Sequence, residues 1–317
     1  MSEKARNMPA SVRQRLLNLA RERKDEFQLV LVRYGVERLL YRLSVSPNAS
    51  QFVLKGAMLF ELWTGRPHRS TTDVDLLGSG DDDVSRLVTM FQRVCSRRVE
   101  DDGLAFWPES IHGGLIREDQ RYGGVRIEMT ATLERSRIPI KIDIGFGDAI
   151  TPSAEQVRYP TLLGLPAPIV LAYPKVTAVA EKYEAMVSLG IANSRMKDFY
   201  DVWVLARDFD FDGNLLGKAI GATFARRRTV LPGIPPTALT SDFANDKAKQ
   251  SQWTAFVRRG RLAVSAPAFG HVVELLHSFL WTVSERIVRG DGVGLTWVAG
   301  GPWKQLHPES DDPNRRG

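Results

Sequence analysis

Two aspartates separated by a single residue lie in the short apolar run at residues 72–77. Residues two apart on a β-strand project from the same face, so this pattern places Asp73 and Asp75 on one side and Val74 and Leu76 on the other. Two neighbouring carboxylates repel each other unless a positive charge lies between them. Mg²⁺ is typically held by one or two carboxylates plus substrate phosphates. We therefore predict a metal site at the aspartate pair, with Mg²⁺ as the expected ion and Mn²⁺ as the alternative.

Two later segments alternate between apolar and polar residues, as strands with one buried face do. They cover residues 125–133 and 138–144, and their short separation predicts a hairpin. The second segment places Lys141 and Asp143 opposite its isoleucines. Pairing with the strand of the aspartate pair would make Asp143 the third metal ligand, whereas a salt bridge to Lys141 or to a neighbouring strand is its structural alternative. Asp148, expected in a loop, is the other candidate for the third carboxylate.

A strand-to-helix step precedes the aspartate pair. The β-prone run at 52–54 leads through Lys55 and Gly56 into a helical pattern at 58–63. A glycine at such a step lets the backbone approach a phosphate, and the helix N-terminus offers free N–H groups. We predict that Lys55 and Gly56 bind the nucleotide, with an ordinary tight turn as the alternative.

The loop between this helix and the aspartate pair is polar and basic. It contains Arg69, Thr71 and Thr72, whose guanidinium and hydroxyl groups suit a triphosphate. We assign all three residues to nucleotide binding.

Composition indicates a globular protein with room for two ordinary domains. The chain has 317 residues, of which 43% are hydrophobic and 25% charged. No apolar stretch approaches the length of a membrane span, and the N-terminus lacks the apolar core of a secretory signal. The single cysteine, Cys95, has no partner for an internal disulfide, which fits the cytoplasm. The net charge of +6 favours phosphate-rich partners such as nucleic acid, with simple solubility as the alternative.

The C-terminal half is predicted to be mainly helical. Residues 177–189 form a helical apolar stripe that ends at Gly190, and Lys182 lies on the edge of that stripe. A lysine in this position is costly unless its ammonium meets an anion, either a triphosphate or a structural aspartate. On the next helix, Arg195 and Asp198 are three residues apart and therefore adjacent.

Other charges in this half have simpler expected roles. Lys197 and Asp201 are expected to be helix-surface charges. Basic and aromatic residues interleave further on, which suits a single-stranded RNA or a tRNA end, with a solvated helix end as the alternative. The members of this segment include Lys247, Lys249, Trp253, Phe256, Arg258, Arg259 and Arg261.

Together these blocks resemble the DNA polymerase β-like nucleotidyltransferases. That superfamily has a Gly-Gly or Gly-Ser step, an Asp-x-Asp strand and a third aspartate on a later strand, which correspond here to residues 55–59, 72–76 and 141–144. Within it, the helical blocks at 180–186 and 193–201 resemble the AbiEii toxins of type IV toxin–antitoxin systems.

The resemblance to these toxins carries several implications. It implies that Lys182 and Asp198 belong to the active site, and we assign Arg195 beside them to nucleotide binding. It also implies an NTP substrate, the 3′ end of tRNA as the acceptor, and a cognate antitoxin. Ala57 departs from the pattern, because it stands where a second glycine or a serine with a phosphate-binding hydroxyl is usual.

We therefore expect an α/β (α+β) fold in three parts. Residues 1–165 should form a small mixed-sheet nucleotidyltransferase core with N-terminal helices. Residues 166–306 should form a mainly helical domain, and residues 307–317 a disordered tail.

The expected function is that of a toxin that blocks translation in the cytoplasm. It would transfer a nucleoside monophosphate from an NTP to the tRNA 3′ end, with Mg²⁺ held by Asp73 and Asp75 and with Asp143 completing the site. The alternatives are a protein-modifying, AMPylation-like nucleotidyltransferase and a non-catalytic regulator that binds nucleotide or RNA.

Overall fold

The computed structural model describes residues 7–116 and 123–305, and its chain divides into two compact units. The first unit ends at Asp148 and also takes in Ala154–Tyr173. The second comprises Ala149–Ser153 and the chain from Pro174 onwards. The predicted boundary after residue 165 differs from this division, since residues 166–173 belong to the first unit. The tail predicted at 307–317 lies outside the described residues.

The first unit contains four helices and eight strands within its described residues. In chain order they are α1 (Met8–Arg23), α2 (Phe27–Ser44), β1 (Phe52–Lys55), α3 (Met58–Thr64), β2 (Asp73–Gly78), α4 (Val84–Cys95), β3 (Leu104–Phe106), β4 (His112–Ile116), β5 (Gly124–Leu133), β6 (Ser136–Phe146), β7 (Glu155–Arg158) and β8 (Ile169–Ala172). The predicted fold class is confirmed, because these strands form one mixed sheet with helices packed against it.

The strand order of this sheet is β3-β5-β6-β2-β1-β8-β7, and β4 also pairs with β5. The pairs β2–β6 and β1–β8 are parallel, and the other pairs are antiparallel. The predicted hairpin is confirmed as β5 and β6, whose burial alternates along both strands. The apolar positions form one face, on which α1, α2 and α4 pack. The charged positions therefore share the opposite face.

The second unit is mainly helical, as predicted. Its elements are α5 (Lys175–Leu189), α6 (Met196–Asp208), β9 (Phe211–Asp212), α7 (Gly213–Arg227), α8 (Ser241–Asn245), α9 (Lys247–Arg259), α10 (Phe269–Leu276), α11 (Thr282–Arg289), β10 (Leu295–Trp297) and β11 (Trp303–Gln305). A π-helical turn, His277–Trp281, joins α10 to α11. The three short strands form a small sheet in the order β11-β10-β9. Its centre is Trp297, which is fully buried and whose indole N–H donates to the Ala206 carbonyl.

In the interleaved basic and aromatic segment, Trp253 does not present its ring to solvent, and Phe256 is half-buried. Trp253 is 4% exposed and stacks against Phe269, with ring centroids 5.0 Å apart. Lys249 is also buried, and its ammonium donates to the Asn193 carbonyl at 2.8 Å. Trp253 is therefore not available to stack an RNA base, because its side of α9 packs into the core. The expectation that the segment binds RNA stays a prediction.

No helix within residues 7–116 and 123–305 combines the length and apolarity needed to cross a membrane.

Candidate active site

Four charged residues form a row across the polar face of the main sheet. Strand register pairs Lys55 with Asp75, Asp75 with Asp143, and Asp143 with Arg126. Residues directly opposite each other in a sheet share a face, so the order of charges across the row is plus, minus, minus, plus. The Arg126 guanidinium, which binds both oxygens of Asp143, offsets part of the repulsion between the inner carboxylates. The strand of Asp143 therefore pairs with the strand of Asp73 and Asp75, as predicted.

A second row of charged residues begins at Asp73. It lies on the same face of the sheet, two residues along the strands from the first row. Register places Asp73 beside Lys141, and Lys141 beside Glu128. The Lys141 ammonium lies 3.3 Å from a Glu128 carboxylate oxygen, and His112 lies 3.2 Å from the other. Burial works to raise the pKa of Glu128, but hydrogen bonds with Lys141 and His112 outweigh it and lower that pKa. Lys141 therefore pairs with Glu128 and is not the ion-pair partner of Asp143.

Gly56 brings the chain after β1 into direct contact with the aspartate strand. Its φ is +74°, a left-handed conformation that glycine adopts without steric cost. A Cβ at this position would lie 1.9 Å from Asp75 Oδ2 and 2.8 Å from Asp75 Cβ. Only glycine leaves room for the Asp75 carboxylate, so Gly56 determines where that carboxylate lies.

Asp143 and Asp148, the two candidates for the third carboxylate, each form an ion pair with a different basic side chain. Both oxygens of Asp143 accept hydrogen bonds from Arg126, from Nε at 2.8 Å and from Nη2 at 2.7 Å. The bond to Asp143 raises the pKa of the Arg126 guanidinium further above its ordinary value. The Lys55 side chain extends across β2 to β6, where its ammonium lies 2.9 Å from Asp148. Asp143 thus stands in the row and Asp148 beyond the end of its strand.

Asp73 and Asp75 fit a hard divalent cation. Both are half-buried, both lie on the polar face, and their carboxylate oxygens are the donors that Mg²⁺ prefers. Within residues 7–116 and 123–305, no group of three or more His, Cys, Asp or Glu side chains is arranged to hold a metal ion. The contribution of Asp143 to such a site therefore stays a prediction.

The loop before β2 brings its hydroxyls close to Asp73. Thr72 Oγ1 donates to the Asp73 carboxylate at 3.1 Å, and Thr71 Oγ1 donates to the Asp73 carbonyl at 3.4 Å. Arg69 is half-buried in the same loop. The predicted nucleotide-binding residues of this loop therefore adjoin the aspartate strand.

The other predicted site residues, Lys182, Arg195 and Asp198, form an ion cluster with Asp201 within the second unit. The Lys182 ammonium lies 2.6 Å from Asp198 and 2.9 Å from Asp201. Arg195 Nε lies 2.7 Å from the second oxygen of Asp198, which confirms the predicted adjacency of these two residues. Burial works to raise the pKa of Asp198, but the charges of Lys182 and Arg195 outweigh it and lower that pKa.

Asp201 corrects one expectation about α6. It was expected to be a helix-surface charge, but its side chain is fully buried and contacts Lys182. Lys197 is exposed, as expected. The reason is geometric: Asp198 and Asp201 are three residues apart on one face of the helix, and Lys182 on α5 lies between them.

Arg126 is the residue at this site that sequence reasoning missed. The sequence indicated only that Arg126 occupies a polar position on the strand that forms the hairpin with the Asp143 strand. The exact register of the hairpin, which pairs Arg126 with Asp143, depends on the two-residue turn at Glu134 and Arg135.

The mixed sheet, the Asp-x-Asp strand and the strand–glycine–helix step are those of a nucleotidyltransferase. The family model for the nucleotidyl transferase AbiEii toxins of type IV toxin–antitoxin systems matches residues 38–275. The chain belongs to this family, as the sequence resemblance predicted. It is therefore a nucleotidyltransferase of the toxin class, and its family implies an NTP substrate and an antitoxin partner.

Two solved structures are also similar to the chain. One is JHP933 from Helicobacter pylori, with 13% identity, a TM-score of 0.44, and coverage of 80% of this chain and 90% of that one. The other, also from H. pylori, is described as a candidate nucleotidyltransferase; it has 14% identity, a TM-score of 0.45, and coverage of 80% and 94%. A comparison with curated proteins finds no match.

Proposed function

We propose that this protein transfers a nucleoside monophosphate from an NTP to the 3′-terminal hydroxyl of tRNA, and that it blocks translation by doing so. The observation that carries this proposal is the charged row on the main sheet, where two carboxylates lie side by side between two cations. Membership of a toxin family and the net charge of +6 support a polyanionic acceptor.

The chain's own residues bind and orient the reacting groups in this proposal. Asp73 and Asp75 would hold Mg²⁺, which would supply charge neutralisation at the phosphates and activation of the acceptor hydroxyl. Lys55 and Arg69 neutralise charge on the triphosphate. Gly56 leaves space for the Asp75 carboxylate, and the Thr72 hydroxyl holds Asp73 by the hydrogen bond described above.

The proposed reaction is an in-line displacement at the α-phosphorus. The acceptor oxygen forms a bond to this phosphorus while the bond to the oxygen that bridges the α- and β-phosphates breaks. Pyrophosphate leaves with the electron pair of that bond. The hydroxyl proton passes to the Asp143 carboxylate and from there to water, so charge and atoms balance.

Replacing Asp73 with asparagine is expected to reduce transfer at least about 100-fold. The substitution keeps the side-chain shape and removes one negative charge from the proposed metal site, where several kcal/mol of transition-state stabilisation originate. The measurement is the appearance of label on total tRNA after incubation with Mg²⁺ and each α-labelled NTP in turn. The NTP that gives label identifies the preferred nucleotide.

The matched control is Asp82→Asn, which removes the same charge from an exposed position before α4. It is expected to leave transfer unchanged. Label on protein in place of tRNA would contradict the RNA acceptor and favour a protein-modifying transferase. Absence of label on any acceptor with all four NTPs would contradict catalysis and favour a non-catalytic regulator.

A further inference from the structure

The Arg126–Asp143 pair neutralises one of the two carboxylates in the charged row. The pair is bidentate, with bonds of 2.8 and 2.7 Å, so both oxygens of Asp143 are engaged. It is also accessible, because the side chains of Arg126 and Asp143 are 42% and 23% exposed. A carboxylate in this state is a poor ligand for a cation, because the guanidinium beside it repels the cation and occupies the oxygens.

The planar fork of a guanidinium fits phosphate as well as it fits carboxylate. Arg126 is therefore suited to a second partner that arrives with the substrate. Strands in a sheet lie about 4.8 Å apart, so the phosphates of a nucleotide held at Asp75 would lie within about two strand spacings of the Arg126 backbone. The Arg126 side chain already spans one of these spacings to reach Asp143.

We propose that Arg126 exchanges partners when the nucleotide binds. Without nucleotide it holds Asp143 away from the cation; with NTP it moves to the triphosphate and releases Asp143 towards the cation held by Asp73 and Asp75. Arg126 is then both a nucleotide-binding residue and a positioning residue for Asp143. This inference rests on the proposed function, because it assumes the metal site at the aspartate pair.

The exchange has a consequence for metal binding that needs no turnover. Removing the guanidinium should release Asp143 permanently, so the metal site gains a third carboxylate in the absence of nucleotide. Arg126→Ala is therefore expected to bind Mn²⁺ at least about tenfold more tightly than the natural chain, since an added carboxylate raises the charge and number of ligands. The gain should vanish in the double variant Arg126→Ala/Asp143→Asn, because it acts through Asp143 alone.

The experiment measures Mn²⁺ binding to the full chain by electron paramagnetic resonance, without nucleotide. Arg137→Ala is the matched control, because it removes an exposed arginine from the same face of β6, six residues from Asp143. It is expected to change the Mn²⁺ dissociation constant less than twofold. A second titration adds each α,β-methylene NTP in turn, and Arg126→Ala is expected to weaken its binding about tenfold, with Arg126→Lys intermediate.

The outcomes separate this inference from the proposed function. No Mn²⁺ binding by any variant would overturn both. Binding of Mn²⁺ that is equal in Arg126→Ala and the natural chain would overturn the exchange and leave the metal site standing. An equal gain in Mn²⁺ affinity in Arg126→Ala and in the double variant would mean that the gain comes from the loss of a positive charge and not from Asp143. That result would also overturn the exchange. Unchanged binding of the nucleotide analogue by Arg126→Ala would contradict the move to the triphosphate.

Discussion

Replacing Gly56 with alanine is expected to lower nucleotide transfer on the order of 100-fold, because it displaces the Asp75 carboxylate. The new Cβ would lie 1.9 Å from Asp75 Oδ2, 2.6 Å from Cγ and 2.8 Å from Cβ. Rotation of the Asp75 side chain relieves the first two contacts but not the third, so the backbone must also shift. A displacement of about 1 Å in a reacting group can cost about 100-fold in rate. The measurement is the initial rate of label transfer from the preferred α-labelled NTP at saturating Mg²⁺.

Gly65→Ala provides a matched control for this variant. Gly65 has the same φ of +74°, at the C-terminal end of α3, but a Cβ built there meets no atom within 4 Å. Both substitutions should cost about 1–2 kcal/mol of stability from the left-handed backbone conformation. Only Gly56→Ala should lose activity beyond the fraction of unfolded protein. Equal activity of the two variants would show that the position of Asp75 does not limit the reaction.

Much of the sheet was predictable because local patterns determine it. The alternation along β5 and β6 and the apolar positions of β2 placed the aspartates on one face before any partner strand was known. A period of two specifies a strand and its faces at the same time. The end of α5 was also predictable from the local sequence, since Gly190 follows the last apolar turn and lies at the C-cap of the helix.

The parts that sequence reasoning missed depend on contacts between distant segments. Arg126 meets Asp143 through the hairpin register, and the buried Asp201 is paired with Lys182 of another helix. Residues 166–173 belong to the first unit because β8 pairs with β1, more than a hundred residues earlier. No local pattern contains such a pairing, because its energy comes from a partner far away in the chain.

Asp198→Asn is expected to destabilise the second unit by about 3–5 kcal/mol, the usual cost of breaking a buried ion pair by removing one partner. Asp198 is 1% exposed and contacts both Lys182 and Arg195. In the asparagine variant, Lys182 would still be paired with Asp201, whereas Arg195 would lose its carboxylate partner. The measurements are the free energy of unfolding in urea and the melting temperature. The latter should fall by about 6–20 °C, at about 2–4 °C per kcal/mol.

The pH dependence of this loss identifies its electrostatic origin. The folded-state pKa of Asp198 lies below its ordinary value of 3.8, so its contribution is present above that pH and lost as the pH falls through the folded pKa. The stability difference between Asp198→Asn and the natural chain should therefore stay constant from about pH 5 to 8 and shrink in stronger acid.

Asp208→Asn, at the exposed end of the same helix, breaks the surface pair with Arg207 and should cost at most about 1 kcal/mol. Equal losses in the two aspartate variants would show that burial of the ion cluster contributes nothing to stability. In that case the position of Lys182 would have to be explained by a ligand.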